Sequence, residues 1–271
     1  MELKIEEVTF HGDGRGVDAY VAKPAGEGLY PAVIVVSEIW GLVDHIRDVA
    51  RRFAHEGYLA LAPDLYTGEF KTAMSPANIM AGMTFLRTAP PEIQRDPSKL
   101  EGRLGERTPE EQAAIRTLMR VMSPAERERF AWDLVGAVAY LRSRPDVRKD
   151  RIASLGFCMG GGLTARLATL TPDLRAAVIF YGENPPLESV RAIRCPVLGL
   201  YGGEDARITD LVPDFVRTME REGKDFDHHI YEGAKHAFFN DTGPNYHPEA
   251  ARDAWNRVTA FLAQELQSSG A

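Results

Sequence analysis

Cysteine is scarce in this chain, long apolar runs are missing, and positive charge falls short of negative. Only Cys158 and Cys195 occur among 271 residues. They form no CxxC pair and their flanks give no zinc spacing with any histidine, so the plain expectation is an intracellular protein with two free thiols. The longest apolar stretches, such as "YPAVIVVSEIWG" and "CPVLGLYGG", fall well short of the roughly 20 residues that span a bilayer. The opening "MELKIEEVTF" has neither a basic start nor an apolar signal core, so export is not expected and a cytoplasmic location is. Lysine and arginine total 32 against 39 acidic residues, a net charge of -7, which argues against nucleic acid or an anionic membrane as partner.

What is present reads as globular. Hydrophobic residues make up 44% and charged residues 26%, and the length suffices for a substantial core. "LKIEEVTF" and "VDAYVAKP", joined by "HGDGRG", predict an antiparallel hairpin. Short apolar runs then alternate with helical patterns: "AVIVV", "YLALAP", "RIASLGF", "AAVIFYG", "PVLGLYG" and "DHHIYEG". Such alternation implies an α/β fold with a mostly parallel sheet covered on both faces by helices. Residues 71–130 break the rhythm and predict a helical, cap-like insertion in a single domain spanning 1–271. "SPAN", "TPEE" and "SPAE" mark helix starts, with Glu111 and Glu126 expected to complete capping boxes. The polar, Pro/Gly-rich "APPEIQRDPSKLEGRLGER" between them is expected to be an exposed loop.

The cysteine in "RIASLGFCMGGGLTARLA" stands where a strand becomes a helix. A nucleophile held on such a turn needs tiny residues two positions either side, because strand and helix pass close together there. Gly156 and Gly160 meet that need around Cys158, and the following helix would turn its positive end toward the sulfur. A small buried hydrophobe is the ordinary alternative for a free cysteine. A nucleophile of this kind needs a histidine base and an acid to orient it, in the order nucleophile, acid, histidine. "YGGEDARIT" supplies Asp205 after one strand, with Glu204 and Asp210 as nearby rivals, and "YEGAKHAFF" supplies His236 after the next. Glu38 ends the apolar run "VIVVSEIWG"; a carboxylate buried there needs a partner, or a place at a loop start as a cap or salt bridge.

With these residues in view, the chain resembles the dienelactone hydrolase family of α/β-hydrolases. The resemblance rests on "SEIWG" followed by "IRD", "GYLALAPDLY", "GFCMGGG", "YGGEDARI" and "GAKHAF", in that order. It implies a Cys158–His236–Asp205 triad and a Glu38 that contacts the resting thiol and helps to generate the thiolate. It further implies an oxyanion hole from the backbone N–H groups of Met159 and Ile39. The implied reaction is hydrolysis of small-molecule esters or lactones through a thioester acyl-enzyme, with no metal or organic cofactor. Family members that open dienelactone grip its carboxylate with arginines. One such position, four residues after the histidine, is Asn240 here, and Arg127 and Arg129 are candidates for another. Trp40, Phe238 and Tyr181 are candidates for an apolar pocket wall, with core packing an equal account of Tyr181. True dienelactone ring opening, a non-catalytic binding protein on the same fold, and a thiol redox protein are the alternatives, and monomer and homodimer both remain open.

Overall fold

The structure is a computed structural model that describes residues 1–94 and 96–267. In chain order its strands and helices are β1 (Leu3–His11), β2 (Gly16–Pro24), β3 (Tyr30–Val36), α1 (Asp44–His55) and β4 (Leu59–Pro63). Five helices follow: α2 (Pro76–Arg87), α3 (Pro91–Gln94), α4 (Pro97–Gly105), α5 (Pro109–Val121) and α6 (Pro124–Ser143). The chain continues through β5 (Val147–Phe157), α7 (Met159–Leu170), β6 (Ala176–Phe180) and β7 (Val197–Gly202). It ends with α8 (Ala206–Thr209), α9 (Val212–Arg221), β8 (Phe226–Tyr231) and α10 (Pro248–Leu262). Two compact units result, Met1–Leu65 with Phe130–Ala271, and Tyr66–Arg129.

The first unit holds an eight-stranded sheet in the order β1-β2-β4-β3-β5-β6-β7-β8. β1 and β2 form the expected antiparallel hairpin, β2 joins β4 antiparallel, and every other pairing is parallel. This is the α/β-hydrolase arrangement. The central strands are buried along their length: Ala32 to Val36 and Leu59 to Ala62 are inaccessible to solvent. Such strands read as unbroken apolar runs, because helices cover both faces of a parallel sheet. Ser154 on β5 and Thr164 on α7 satisfy each other's hydroxyls at 2.9 Å inside that layer. The sheet edges belong to β1 and β8. β1 carries Lys4, Glu6 and Glu7, and Glu6 pairs with Lys4 at 3.2 Å and with Arg144 at 3.0 Å.

Parallel register decides which residues meet at the carboxyl ends of the strands. Val36 of β3 lies opposite Gly156 of β5, and Phe157 lies opposite Phe180 of β6. Two residues beyond each of those positions come Glu38 and Cys158, and Tyr181 follows Phe180. β7 and β8 end in register at Gly202 and Tyr231, so the loops carrying Asp205 and His236 leave from the same end. Open parallel sheets place their ligands outside this end of the strands.

The second unit, Tyr66–Arg129, packs a small cluster of Phe85, Leu104 and Ile115. Its helix starts follow local rules. Ser75 Oγ accepts the Asn78 N–H at 3.3 Å. Thr108 and Glu111 form the expected capping box, with bonds of 3.3 and 3.0 Å. Two expectations need correction. The stretch expected to be a loop contains α3 and α4, and Asp96 caps the latter by accepting from the N–H groups of Ser98 and Lys99. Glu126 completes no capping box: its N–H donates to Ser123 Oγ, but its carboxylate is taken by Arg120 and Arg129. Two guanidinium groups outbid one backbone N–H for a carboxylate, since charge-assisted bonds are the stronger ones.

Candidate active site

Cys158 sits at φ +53° and ψ -115°, a conformation that costs an L-residue roughly 1–3 kcal/mol. Its N–H donates to the Phe180 carbonyl at 3.0 Å, and its carbonyl accepts the Gly162 N–H at 3.2 Å, which opens α7. The flanking glycines are required by space. A Cβ on Gly156 would come within 2.0 Å of the Gly160 carbonyl oxygen, and one on Gly160 within 2.4 Å of that of Val36. The turn is thus a strained strand-to-helix elbow with a half-buried thiol at its tip. Tyr181 and Ala237, at φ +38° and +63°, are the other non-glycine residues with left-handed backbone among those described. All three lie at the carboxyl end of the sheet: Cys158 is the expected nucleophile and Ala237 directly follows His236.

His236 Nδ1 lies 2.5 Å from Asp205 Oδ2, and the same imidazole is hydrogen-bonded to the Cys158 thiol. Asp205 occupies the position before α8 yet makes no capping bond, so its carboxylate is committed to the histidine. Burial of the His236 ring disfavours its charge, but the Asp205 carboxylate and Cys158 outweigh that and lift its pKa to about 10. Asn245 fixes the loop by donating from Nδ2 to the His236 carbonyl at 3.0 Å. The other histidines take different places. His228 and His229 lie in β8, and His247 accepts the Ala250 N–H at the start of α10.

Glu38 is 3% exposed and held by two neutral donors. Tyr181 OH donates to Oε1 at 3.2 Å and Asn240 Nδ2 donates to Oε2 at 2.9 Å. Asn240 Oδ1 accepts from the Thr242 N–H and hydroxyl at 3.0 and 2.7 Å, which fixes the amide orientation. Burial pushes the Glu38 carboxyl above the usual range, and Asn240, His45, Tyr181 and His236 only partly offset it. Tyr181 is in turn raised well above the ordinary phenol by burial and by the neighbouring Glu38 and Cys158.

The remaining candidates divide. Met159 is the first residue of α7, where a helix leaves N–H groups without intrahelical partners. Ile39 and Trp40 lie in the turn after Glu38, both half-buried. Phe238 is fully buried among Tyr181, Tyr231 and Phe180 and belongs to the core. Arg129 pairs with Glu126 and Glu69 in the helical unit and lies over the Phe70 ring at 5.5 Å. Arg127 belongs to the same unit. Cys195 is buried, which pushes its thiol to about 12. The direct partners of Glu38 were not legible in sequence: Tyr181 stood as wall or core, and Asn240 only as a missing arginine.

The model of the dienelactone hydrolase family matches residues 17–266. The chain belongs to that family. It is 42% identical over 258 residues to a Saccharolobus solfataricus protein provisionally named carboxymethylenebutenolidase, covering 95% of this chain and 97% of the other. A Bradyrhizobium protein, provisionally named 2-oxo-3-(5-oxofuran-2-ylidene)propanoate lactonase, is 32% identical and covers 97% of this chain and 96% of its own. Among solved structures, a Klebsiella pneumoniae protein provisionally named dienelactone hydrolase superposes with a TM-score of 0.71 at 30% identity. That match covers 97% of this chain and all of the other. A dienelactone hydrolase is a carboxylic ester hydrolase, and membership supports ester or lactone hydrolysis on an α/β-hydrolase fold. Among the described residues no helix is long and apolar enough to cross a membrane.

Proposed function

We propose that this member of the dienelactone hydrolase family cleaves small esters or lactones through a Cys158–His236–Asp205 triad and a thioester acyl-enzyme, in the cytoplasm. The observation that carries the reading is the continuous contact from Asp205 through the His236 ring to the Cys158 thiol on a strained elbow. The sulfur attacks the carbonyl carbon; a C–S bond forms and the π pair moves onto oxygen. The N–H of Met159, with that of Ile39 as second donor, receives the oxyanion, a contribution typically of a few kcal/mol. As the tetrahedral adduct collapses, the C–O bond breaks and His236 gives its proton to the leaving alkoxide. Water then attacks the thioester, His236 takes its proton, and the acid leaves with the thiol restored. Asp205 holds the ring in the tautomer that both steps require.

We propose that Glu38 takes the thiol proton before attack, a role that its raised proton affinity suits. Asn240 is neutral and engaged with Glu38, and Arg129 is paired within the helical unit. We therefore infer a substrate that needs no bidentate grip on a carboxylate. The lactonase name of the Bradyrhizobium relative favours lactones within this class.

The test is hydrolysis of p-nitrophenyl acetate by the wild type, Cys158→Ala and His236→Ala, with intact-mass detection of the acyl-enzyme. Both variants are expected to lose about 10³-fold or more in kcat/KM, and the acyl adduct to map to Cys158. Wild-type rates in His236→Ala would overturn the triad.

A further inference from the structure

A second imidazole–carboxylate contact stands beside the one just described, and the proposed mechanism makes no use of it. His45 on α1 is 5% exposed. Its Nδ1 lies 3.2 Å from Asp241 Oδ1, while Arg52 Nη2 grips Asp241 Oδ2 at 2.5 Å. Nδ1 facing a carboxylate leaves Nε2 as the outward nitrogen of the ring. That Nε2 is buried and has no hydrogen-bond partner among the described residues. Buried imidazole nitrogens are ordinarily satisfied, so an orphan calls for an account.

The surroundings supply one. The His45 ring packs edge-on to Phe157 and tilted to Phe239, at centroid distances of 6.3 and 6.5 Å. Phe157 directly precedes Cys158. Phe239 precedes Asn240, which holds Glu38, and Asp241 follows it. His45 thus clamps the loop that donates to Glu38 and touches the residue that supports the nucleophile.

We propose that His45 is a positioning residue for Glu38: with Asp241 and Arg52 it pins the loop from which Asn240 donates to Glu38. The inference rests on Glu38 serving Cys158 as base. The groups facing Glu38 are Tyr181 and Asn240 through hydrogen bonds, and His45 and His236 through their charge. Those facing His45 are Asp241 and Glu38, with Arg52 and Asp48 linked through the same ion-pair chain. The Asn240 bond favours the charged carboxylate, so loosening the loop that carries it makes Glu38 harder to ionise. Where the site must lose a proton before sulfur reacts, the acid limb of reactivity then moves to higher pH.

The experiment measures iodoacetamide alkylation of Cys158 against pH in resting protein, alongside the pH profile of kcat/KM for p-nitrophenyl acetate. His45→Phe suits the aromatic surroundings, and His45→Gln is the polar alternative should that variant fold poorly. Each is expected to raise the acid-limb midpoint by roughly half to one pH unit, the scale of one weakened hydrogen bond to a carboxylate. In a Glu38→Gln background the same substitutions should move it by less than about 0.2 unit. An unmoved midpoint, or an equal shift with Glu38 removed, overturns the proposal; the second outcome makes His45 a packing residue only. Alkylation needs no turnover. A shifted limb in protein that hydrolyses no ester therefore sinks the hydrolytic reading alone, and intact hydrolysis with an unmoved limb sinks this one alone.

Discussion

Thr108 and Cys158 each stand immediately before a helix, and they show how differently the two units treat their backbone. Thr108 has extended angles and a reciprocal bond with Glu111. Cys158 has φ +53° and no capping bond. In the helical unit the described residues with left-handed backbone are limited to Gly68, and charge pairs such as Arg116 with Glu101 lie at the surface. Exposed pairs of that kind add little to stability, because solvent screens them. In the sheet unit, Cys158, Tyr181 and Ala237 take left-handed angles without being glycine, and a carboxylate is buried between neutral donors. Local preference governs the first region, and tertiary packing overrides it in the second. Strain gathered at one end of a sheet is the pattern expected where geometry must be held for chemistry.

The strongest challenge to this contrast is a matched pair of glycine substitutions. Gly160→Ala should lose about 3 kcal/mol or more, because its Cβ meets the backbone oxygens of Val36 and Ser37. Gly102→Ala, in α4 with open space around it, should gain about 0.5–1 kcal/mol from helix propensity. Denaturant midpoints of the two variants decide it, and equal effects would erase the distinction between the units.

A smaller effect sharpens the comparison at the elbow. Cys158→Gly and Cys158→Ala are both expected to be inactive, but the glycine variant should be more stable by about 1 kcal/mol through relief of strain. A glycine variant no more stable than the alanine variant would mean that the elbow stores no strain.

The smallest effect is electrostatic. A histidine whose folded pKa is raised to about 10 contributes stability that is complete below its unfolded value near 6.5. That contribution is lost as pH climbs through 10. The Tm difference between wild type and His236→Gln should therefore be largest near pH 6 and shrink toward pH 10, by a few degrees at most. A difference that grows with pH would contradict the Asp205 contact as the cause.

The elbow was legible in sequence because its requirements are local: Gly156, Cys158 and Gly160 are close neighbours and a helix follows at once. Asp205 and His236 were legible because each follows a strand by a short loop. The helix start at Ser75 and the capping box at Thr108 were read correctly for the same reason. α3 and α4 were taken for loop because prolines and glycines crowd that stretch, although Pro97 stands at a first helical turn where its missing N–H costs nothing. The contacts around Glu38 had no local trace. Tyr181 lies 143 residues from it and Asn240 202, and His45 lies 196 from Asp241. Only the register of a parallel sheet brings such positions together.

The open edge at β1 has a consequence of another kind. Nine residues of unpaired backbone along one side of a sheet form a template on which another extended chain could grow. Lys4, Glu6 and Glu7 interrupt that strip with charges that a docking strand would have to strip of water. Exchanging the two glutamates for valine would leave "KIVVVTF", an unbroken β-forming edge, and the cost would appear as aggregation during expression rather than as lost activity.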